Sequence, residues 1–353
     1  MHPLAASGMA PPLATATDSN ATAARIADPQ SHTGFPGSPT LNGLVAETGE
    51  SWNSFRRRLA PRYGVAWRQL AMSLGMLVGA MTLQCWVALR TGNTAALVIA
   101  AVTAVWIGYW VATLICFMHE AAHYNLHSRR AINDTLANLL LCPLIGEEIT
   151  HYRAVHWQHH LYLGSPEDTE VSYHHAPTPR FMLETLTGMH LLRVLLKTRR
   201  KVGQSRLAGK SAASGIVRGI AFHGVVLATA ITAGLYSVAL AWIGGVFIVY
   251  PFFHTMRQVL EHRSVDASSS VDYTQRAHGP VNRMFGLDLF SRTFGTAGFN
   301  RHLLHHWYPA ASYTRFDDLE AFLMRTQLAA TIDAARSTYF ATLRQLMAAA
   351  PSQ

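Results

Sequence analysis

The sequence predicts an all-α integral membrane protein with about four transmembrane helices and a helical, histidine-rich cap on the cytoplasmic side. Three observations lead to this fold class. Hydrophobic residues make up 50% of the 353 residues, and charged residues only 14%, compared with about a quarter in soluble domains. Long charge-free segments alternate with basic ones, and most of the 19 histidines lie outside the apolar segments.

The N-terminal part of the chain, residues 1–48, is rich in Ala, Thr, Ser, Pro and Gly and has no hydrophobic periodicity. This composition predicts a disordered leader. A secretory signal would need a basic region followed by an apolar one, and neither is present here. We therefore expect residues 49–320 to form the membrane domain and residues 321–353 to form a C-terminal helical tail.

Apolar segments predict four spans. The first runs from about Gln69 to Leu89 and, after a break at residues 90–93, the second continues to Met118. The charge-free segment from residue 219 to residue 256 would be about 57 Å long as one helix, and a bilayer core is only about 30 Å thick. Two spans that turn near residues 234–237 fit better. A soluble bundle of four core helices is the less favoured alternative.

Basic residues set the expected orientation. They cluster before the first span (residues 56–68) and before the third (residues 193–210), so both segments, both termini and the histidines are expected in the cytoplasm. They do not alternate with aromatic residues on a binding face, and nucleic-acid binding is not predicted. The Arg- and Ala-rich composition favours a bacterial inner membrane. Three cysteines within apolar segments predict neither disulfides nor a thiolate site.

Histidine spacing carries the chemical signal. The clusters are His119-Glu-Ala-Ala-His123, His156-Trp-Gln-His159-His160 and His302-Leu-Leu-His305-His306, and His262 follows the fourth span. Residues three or four apart share one face of a helix, so each cluster presents its imidazoles together. Imidazole suits iron, zinc, copper and nickel. Because one zinc takes four ligands, these histidines better suit two metal ions. His127, His151, His174 and His175 are expected on the surface or beside the ligands.

The order HxxxH, HxxHH and HxxHH between paired spans resembles the membrane fatty acid desaturase superfamily, which also contains hydroxylases and carotenoid-modifying oxygenases. The resemblance covers roughly residues 65–320 and includes Gly164 and Asp168 after the second cluster and Asn300 and Pro309 around the third. It implies two iron ions (Fe²⁺/Fe³⁺) with O₂ as co-substrate. The implied iron ligands are His119, His123, His156, His159, His160, His262, His302, His305 and His306.

The same resemblance implies oxidation of unactivated C–H bonds in a lipid or acyl-thioester substrate, above all fatty acyl desaturation. Hydroxylation of an acyl or isoprenoid chain by the same site is the alternative. No fused cytochrome b5 motif is visible, so a separate donor such as ferredoxin, rubredoxin or cytochrome b5 is expected to supply electrons. The side chains expected to support the ligands are Glu120, Asp168, Gln258, Glu261 and Asn300.

Two alternatives come from other classes. The first cluster matches the zinc metallopeptidase motif HExxH, with Glu120 as the general base, but a peptidase would leave both HxxHH clusters unexplained. A metal transporter would hold its site near the bilayer midplane, whereas these histidines lie beyond the ends of the spans.

Overall fold

The computed structural model describes residues 34–194 and 206–349, without the side chains of residues 206–210, and this part of the chain is predominantly helical. The α-helices are α1 (Trp52–Arg56), α2 (Tyr63–Ala122), α3 (Arg130–Leu140), α4 (Ile149–Tyr162), α5 (Pro179–Leu186), α6 (Arg206–Thr232), α7 (Tyr236–Gly244), α8 (Tyr250–His262), α9 (Leu289–Phe294), α10 (His302–Trp307), α11 (Phe316–Leu323), α12 (Ala329–Ala334) and α13 (Tyr339–Ala349). Two short strands, β1 (Met284–Phe285) and β2 (Arg336–Ser337), pair in parallel. The expected all-α class is confirmed.

The longest helix, α2, is a hairpin. Gly92 has φ 76° and ψ 161°, a conformation open essentially only to glycine. Across this break, Gln84 Nε2 donates to the Ala96 carbonyl at 3.1 Å, and Thr103 Oγ1 donates to Gln84 Oε1 at 2.9 Å. Residues before and after Gly92 therefore form two antiparallel arms. The reversal falls within the predicted break at residues 90–93.

Three of the described helices are long and apolar enough to cross a membrane: Tyr63–Ala122, Ser211–Thr232 and Tyr236–His262. Each arm of α2 is about 45 Å long at 1.5 Å per residue, which exceeds the roughly 30 Å core of a bilayer. The other two helices are joined by residues 233–235. This turn begins one residue before the one predicted at residues 234–237. These helices supply the long apolar elements that the predicted membrane fold requires, and the number of spans stays a prediction.

Glycines let the second arm of α2 approach the last apolar helix closely. A Cβ atom on Gly108 would lie 2.4 Å from Val249 Cγ1, and one on Gly245 would lie 2.6 Å from Ile107 Cγ2. The contact occurs at a single π-helical turn, Gly245–Val249, between α7 and α8. Such turns are frequent near functional sites. Here the close packing brings the carboxyl ends of α2 and α8 together.

A second hydrophobic core joins three distant parts of the chain. It contains Leu44 and Trp52 from the N-terminal region, Leu304 from α10, and Leu323 and Ile332 from the C-terminal region. The segments at both ends of the described chain are therefore anchored to the helix that carries the third histidine cluster.

This packing bears on the predicted domain boundaries. Residues 1–33 of the expected leader lie outside the described residues, but Phe35, Leu41 and Leu44 are buried. Folded chain therefore begins before residue 48. At the other end, the boundary placed at residue 320 falls inside α11. The wider division into leader, membrane domain and tail stays a prediction.

Replacing Gly92 by Ala should destabilise the hairpin by about 1–3 kcal/mol, because a Cβ atom disfavours this backbone conformation. The space around Gly92 is open, with no atom within 4 Å of an added Cβ, so the effect isolates backbone strain. Thermal unfolding in detergent would measure it. Gly79 is the matched control, since it is also uncrowded but has an ordinary helical φ. Gly79→Ala should be neutral or stabilising, and equal effects at both positions would contradict the hairpin.

Candidate metal centre

The first histidine cluster lies at the carboxyl end of α2, where His119 and His123 are one turn apart. Helix carboxyl ends leave carbonyl groups without donors and carry partial negative charge. Arg153, which belongs to α4, satisfies two of them: its Nε donates to the Ala122 carbonyl at 2.9 Å and its Nη2 to the Ala121 carbonyl at 3.2 Å. This buried guanidinium fixes α4 against the end of α2 and so joins the first two histidine clusters.

The second cluster is carried by α4, which begins after Glu148. The Glu148 carboxylate accepts hydrogen bonds from the backbone N–H groups of Thr150 at 2.9 Å and His151 at 3.2 Å. An acidic side chain at this position caps unpaired N–H groups and complements the helix dipole. The three histidines follow on the last two turns of the helix: His156, His159 and His160.

The third cluster occupies the short helix α10, whose two faces have different roles. Leu303, Leu304 and Trp307 pack into the second hydrophobic core. The other face carries His302, His305 and His306, at the spacing that places residues three and four apart together. Before the helix, Asn300 Nδ2 donates to the Gly286 carbonyl at 3.1 Å. Asn300 thus anchors the entry to α10 through a backbone carbonyl.

The structure brings all nine histidines of the predicted ligand set into two buried clusters. The five-histidine cluster contains His119, His123, His156, His160 and His305. The four-histidine cluster contains His159, His262, His302 and His306. Within each cluster, one nitrogen atom from every ring lies within 4.8 Å of those of the others. Four chain segments that are far apart in sequence therefore meet at one place.

The histidine nitrogens are better arranged to bind metal ions than to form hydrogen bonds with one another. His156 Nε2 lies 2.9 Å from His123 Nε2 and 3.0 Å from His160 Nε2, but a neutral imidazole has only one N–H to donate. In the other cluster, His159 Nε2 is buried and has no hydrogen-bond partner among the described residues. A cation among these nitrogens would satisfy their lone pairs. Two clusters of five and four imidazoles can hold two metal ions.

Electrostatics keeps most of these rings neutral, the form that binds metal. Burial, together with repulsion from neighbouring histidines, lowers the pKa of His123 and His160 well below its usual range. His159 differs: burial alone would lower its pKa, but the carboxylates of Asp168 and Glu170 raise it to about 9. Two carboxylates therefore lie close to His159, which belongs to the four-histidine cluster.

Two hydrogen bonds fix which nitrogen faces the four-histidine cluster. The Asp168 carboxylate lies 2.9 Å from His159 Nδ1, and the Val281 carbonyl lies 2.8 Å from His262 Nδ1. Because a carbonyl oxygen only accepts, His262 carries its proton on Nδ1 and presents the Nε2 lone pair. Acceptors of this kind orient metal-ligating histidines and raise their basicity. Asp168, which was expected to support a ligand, thus contacts His159 directly.

The other two expected carboxylates are also close to clustered histidines. Glu120 Oε1 lies 4.0 Å from His119 Nδ1, and its Oε2 accepts hydrogen bonds from Ser312 Oγ at 3.0 Å and the Tyr313 N–H at 3.2 Å. Glu120 therefore ties the first cluster to the chain after α10. Glu261 Oε2 lies 3.8 Å from His302 Nε2.

Sequence reasoning missed Glu170, which the structure places beside both clusters. Its Oε1 lies 3.6 Å from His156 Nδ1 and its Oε2 lies 3.8 Å from His159 Nε2. Gln258, expected near a metal, instead donates from Nε2 to Glu170 Oε2 at 3.0 Å. The available signal was local: Glu170 follows Asp168 by two residues in the turn after α4.

A small pocket lies beside the five-histidine cluster. His119, His302 and His305 line its inner side, and Ala297, Phe299 and Phe316 contribute to its wall. The histidines that the sequence did not assign as ligands lie outside the two clusters. Of the described His127, His151, His174 and His175, none belongs to either cluster.

Comparison with known proteins places this geometry in a family context. The family model described as fatty acid desaturase matches residues 95–337. That range covers more than half of the chain and includes all nine clustered histidines. No curated protein matches the chain.

Asp168→Asn should weaken metal binding by roughly 10–100-fold, because an amide can donate to His159 Nδ1 and so favour the wrong tautomer. Competition of the purified protein with a chromogenic chelator would measure the affinity. Glu167→Gln is the control, because it removes a neighbouring carboxylate that is exposed. An Asp168→Asn protein that binds metal as tightly as the wild type would show that this contact does not orient a ligand.

Proposed function

Because the chain belongs to the fatty acid desaturase family, we propose that it is a membrane oxidoreductase that uses two irons and O₂ to desaturate a fatty acyl chain. The observation that carries this proposal is the convergence of nine buried histidines in clusters of five and four. Iron bound there would supply the activation of dioxygen that cleavage of an unactivated C–H bond requires and that no side chain provides. Hydroxylation of an acyl or isoprenoid chain is the alternative outcome at the same site.

The protein's own contribution is to hold and shield these ligands. His119, His160 and His305 are each at most 5% exposed, so water has little access to the nitrogen atoms. Asp168 and the Val281 carbonyl keep protons on the outer nitrogens of His159 and His262. We expect these contacts to hold the imidazoles in the orientation that metal binding requires.

The pocket beside His119 and His305 is the proposed position of the reacting methylene groups. Ala297, Phe299 and Phe316 give its wall an apolar character, which suits an acyl chain better than a polar headgroup. The substrate we propose is a lipid or an acyl thioester, taken up at the membrane that the apolar helices cross.

Electron supply requires a partner. Desaturation takes two hydrogen atoms, and so two electrons, from the acyl chain, whereas reduction of O₂ to two water molecules takes four electrons. The remaining two must come from a donor protein, and we propose ferredoxin, rubredoxin or cytochrome b5 in this role.

The contacts of Glu120 disfavour the metallopeptidase alternative. A zincin base must face the metal-bound water, but Glu120 Oε2 is held by Ser312 and the Tyr313 N–H. A catalytic zinc site also needs only three protein ligands, fewer than the five histidines of the cluster that contains His119 and His123.

Expression in a bacterial host, with mass spectrometry of lipids and acyl thioesters, tests the proposed reaction. We expect products two mass units lighter, or sixteen heavier if the chain is hydroxylated, and about two irons per purified chain. His305→Ala should abolish the product, because the five-histidine cluster loses a ligand. His127→Ala is the matched control, since His127 lies outside both clusters. An active protein that holds one zinc and no iron would refute the proposal.

Glu120→Gln separates the two enzyme classes. As a residue that supports His119, Glu120 should be replaceable with a loss of roughly 10–100-fold in metal binding or oxidase activity. As a zincin base it would be indispensable to a peptidase activity. Measured peptidase activity that disappears in Glu120→Gln but survives His305→Ala would favour the peptidase.

We also propose four spans, counting both arms of α2, in a bacterial inner membrane, with both termini and the histidines in the cytoplasm. In a cysteine-free background, an impermeant maleimide should label Thr91→Cys, near the tip of the α2 hairpin, from outside intact cells. It should reach Glu167→Cys, in the turn after α4, only after the membrane is opened. The reverse pattern would overturn this orientation.

A further inference from the structure

We infer that Glu170 is a ligand of the metal ion in the four-histidine cluster, where it supplies an anionic fifth donor. This inference rests on the proposed two-metal function and concerns a residue outside the histidine boxes. The two clusters are unequal, with five histidines in one and four in the other. Glu170 Oε2 lies 3.8 Å from His159 Nε2, one of the four ligand nitrogens of this cluster.

Glu170 is held in this position from two directions. Its backbone N–H donates to Asp168 Oδ1 at 2.8 Å, so the carboxylate that orients His159 also fixes the turn that carries Glu170. From the last apolar helix, Gln258 Nε2 donates to Glu170 Oε2 at 3.0 Å. A side chain restrained at both its backbone and its carboxylate is preorganised for ligation.

Charge distinguishes Glu170 from the other carboxylate near this cluster. Glu261 Oε2 also lies 3.8 Å from a clustered nitrogen, that of His302, but Glu261 Oε1 lies 3.5 Å from the buried Arg257 Nε. Within the described residues, the ion-pair partners of Glu170 are only the histidines His156 and His159. His159 gives up its extra proton when it binds a metal ion, and a metal ion in the four-histidine cluster would then be the cation that faces the Glu170 carboxylate.

A purely positioning role is the competing explanation. Glu170 Oε1 lies 3.6 Å from His156 Nδ1, so the carboxylate could instead orient His156, a member of the five-histidine cluster. The two roles affect different metals. Ligation predicts that loss of Glu170 weakens the four-histidine site, and positioning of His156 predicts that it weakens the five-histidine site.

Cobalt(II) titration of the metal-free protein in detergent tests this without reference to turnover. His123→Ala and His262→Ala provide reference spectra for damage to the five- and the four-histidine site. Glu170→Gln, which keeps the size of the side chain, should bind one cobalt as the wild type does and the other at least about ten-fold more weakly. Its spectrum should match that of His262→Ala. The exposed Glu167→Gln is the matched control and should bind both ions normally.

The outcomes separate the inference from the proposed function. Two tightly bound cobalt ions with unchanged bands in Glu170→Gln would overturn the assignment of Glu170 alone. A spectrum that matches His123→Ala would also overturn it, in favour of the positioning role. Loss of both ions would mean that Glu170 is structural, which size-exclusion chromatography and Glu170→Asp would check. If the wild type itself fails to bind two ions, the two-metal function fails before Glu170 is considered.

Discussion

Burial of nine imidazole rings in one small volume is the constraint on which the rest of the structure depends. Each ring gives up hydrogen bonds to water, and such a loss is costly unless a partner replaces the solvent. The nitrogens approach within 4.8 Å inside each cluster, so small errors in backbone position would bring rings into collision or leave lone pairs without a cation. The supporting contacts therefore act chiefly on backbone position and ring orientation.

Helix ends supply much of this control. The carboxyl end of α2 carries the first cluster and that of α8 carries His262, and close packing at Gly108 and Gly245 brings the two ends together. Arg153 then satisfies the carbonyls at the end of α2 and thereby fixes the helix that carries the second cluster. The apolar helices and the polar site are thus parts of one arrangement, in which packing of the apolar helices sets the position of the clustered histidines.

Sequence periodicity predicted the features that depend on neighbours along the chain. Histidines three and four apart share a helix face whatever surrounds them, and Gly92 lies in a short polar break between apolar segments. The same approach missed Glu170, because its importance comes from contacts with Gln258 and His156, which are far from it in sequence. Residues 34–48 also contain apolar side chains, among them Leu41 and Leu44, that pack with the helix carrying the third histidine cluster, a contact that composition alone does not predict.

The N-terminal segment has a consequence for the order of assembly. Phe35 packs against Trp157 and His160, with ring centroids 6.0 and 5.7 Å apart, and Ser38 Oγ donates to the carbonyl of His306, 268 residues away. The five-histidine cluster needs His305, and the four-histidine cluster needs His306. A ribosome must therefore translate most of the chain before either cluster is complete. The first described residues are translated long before the third histidine helix, so they can dock only when the two clusters are also able to form.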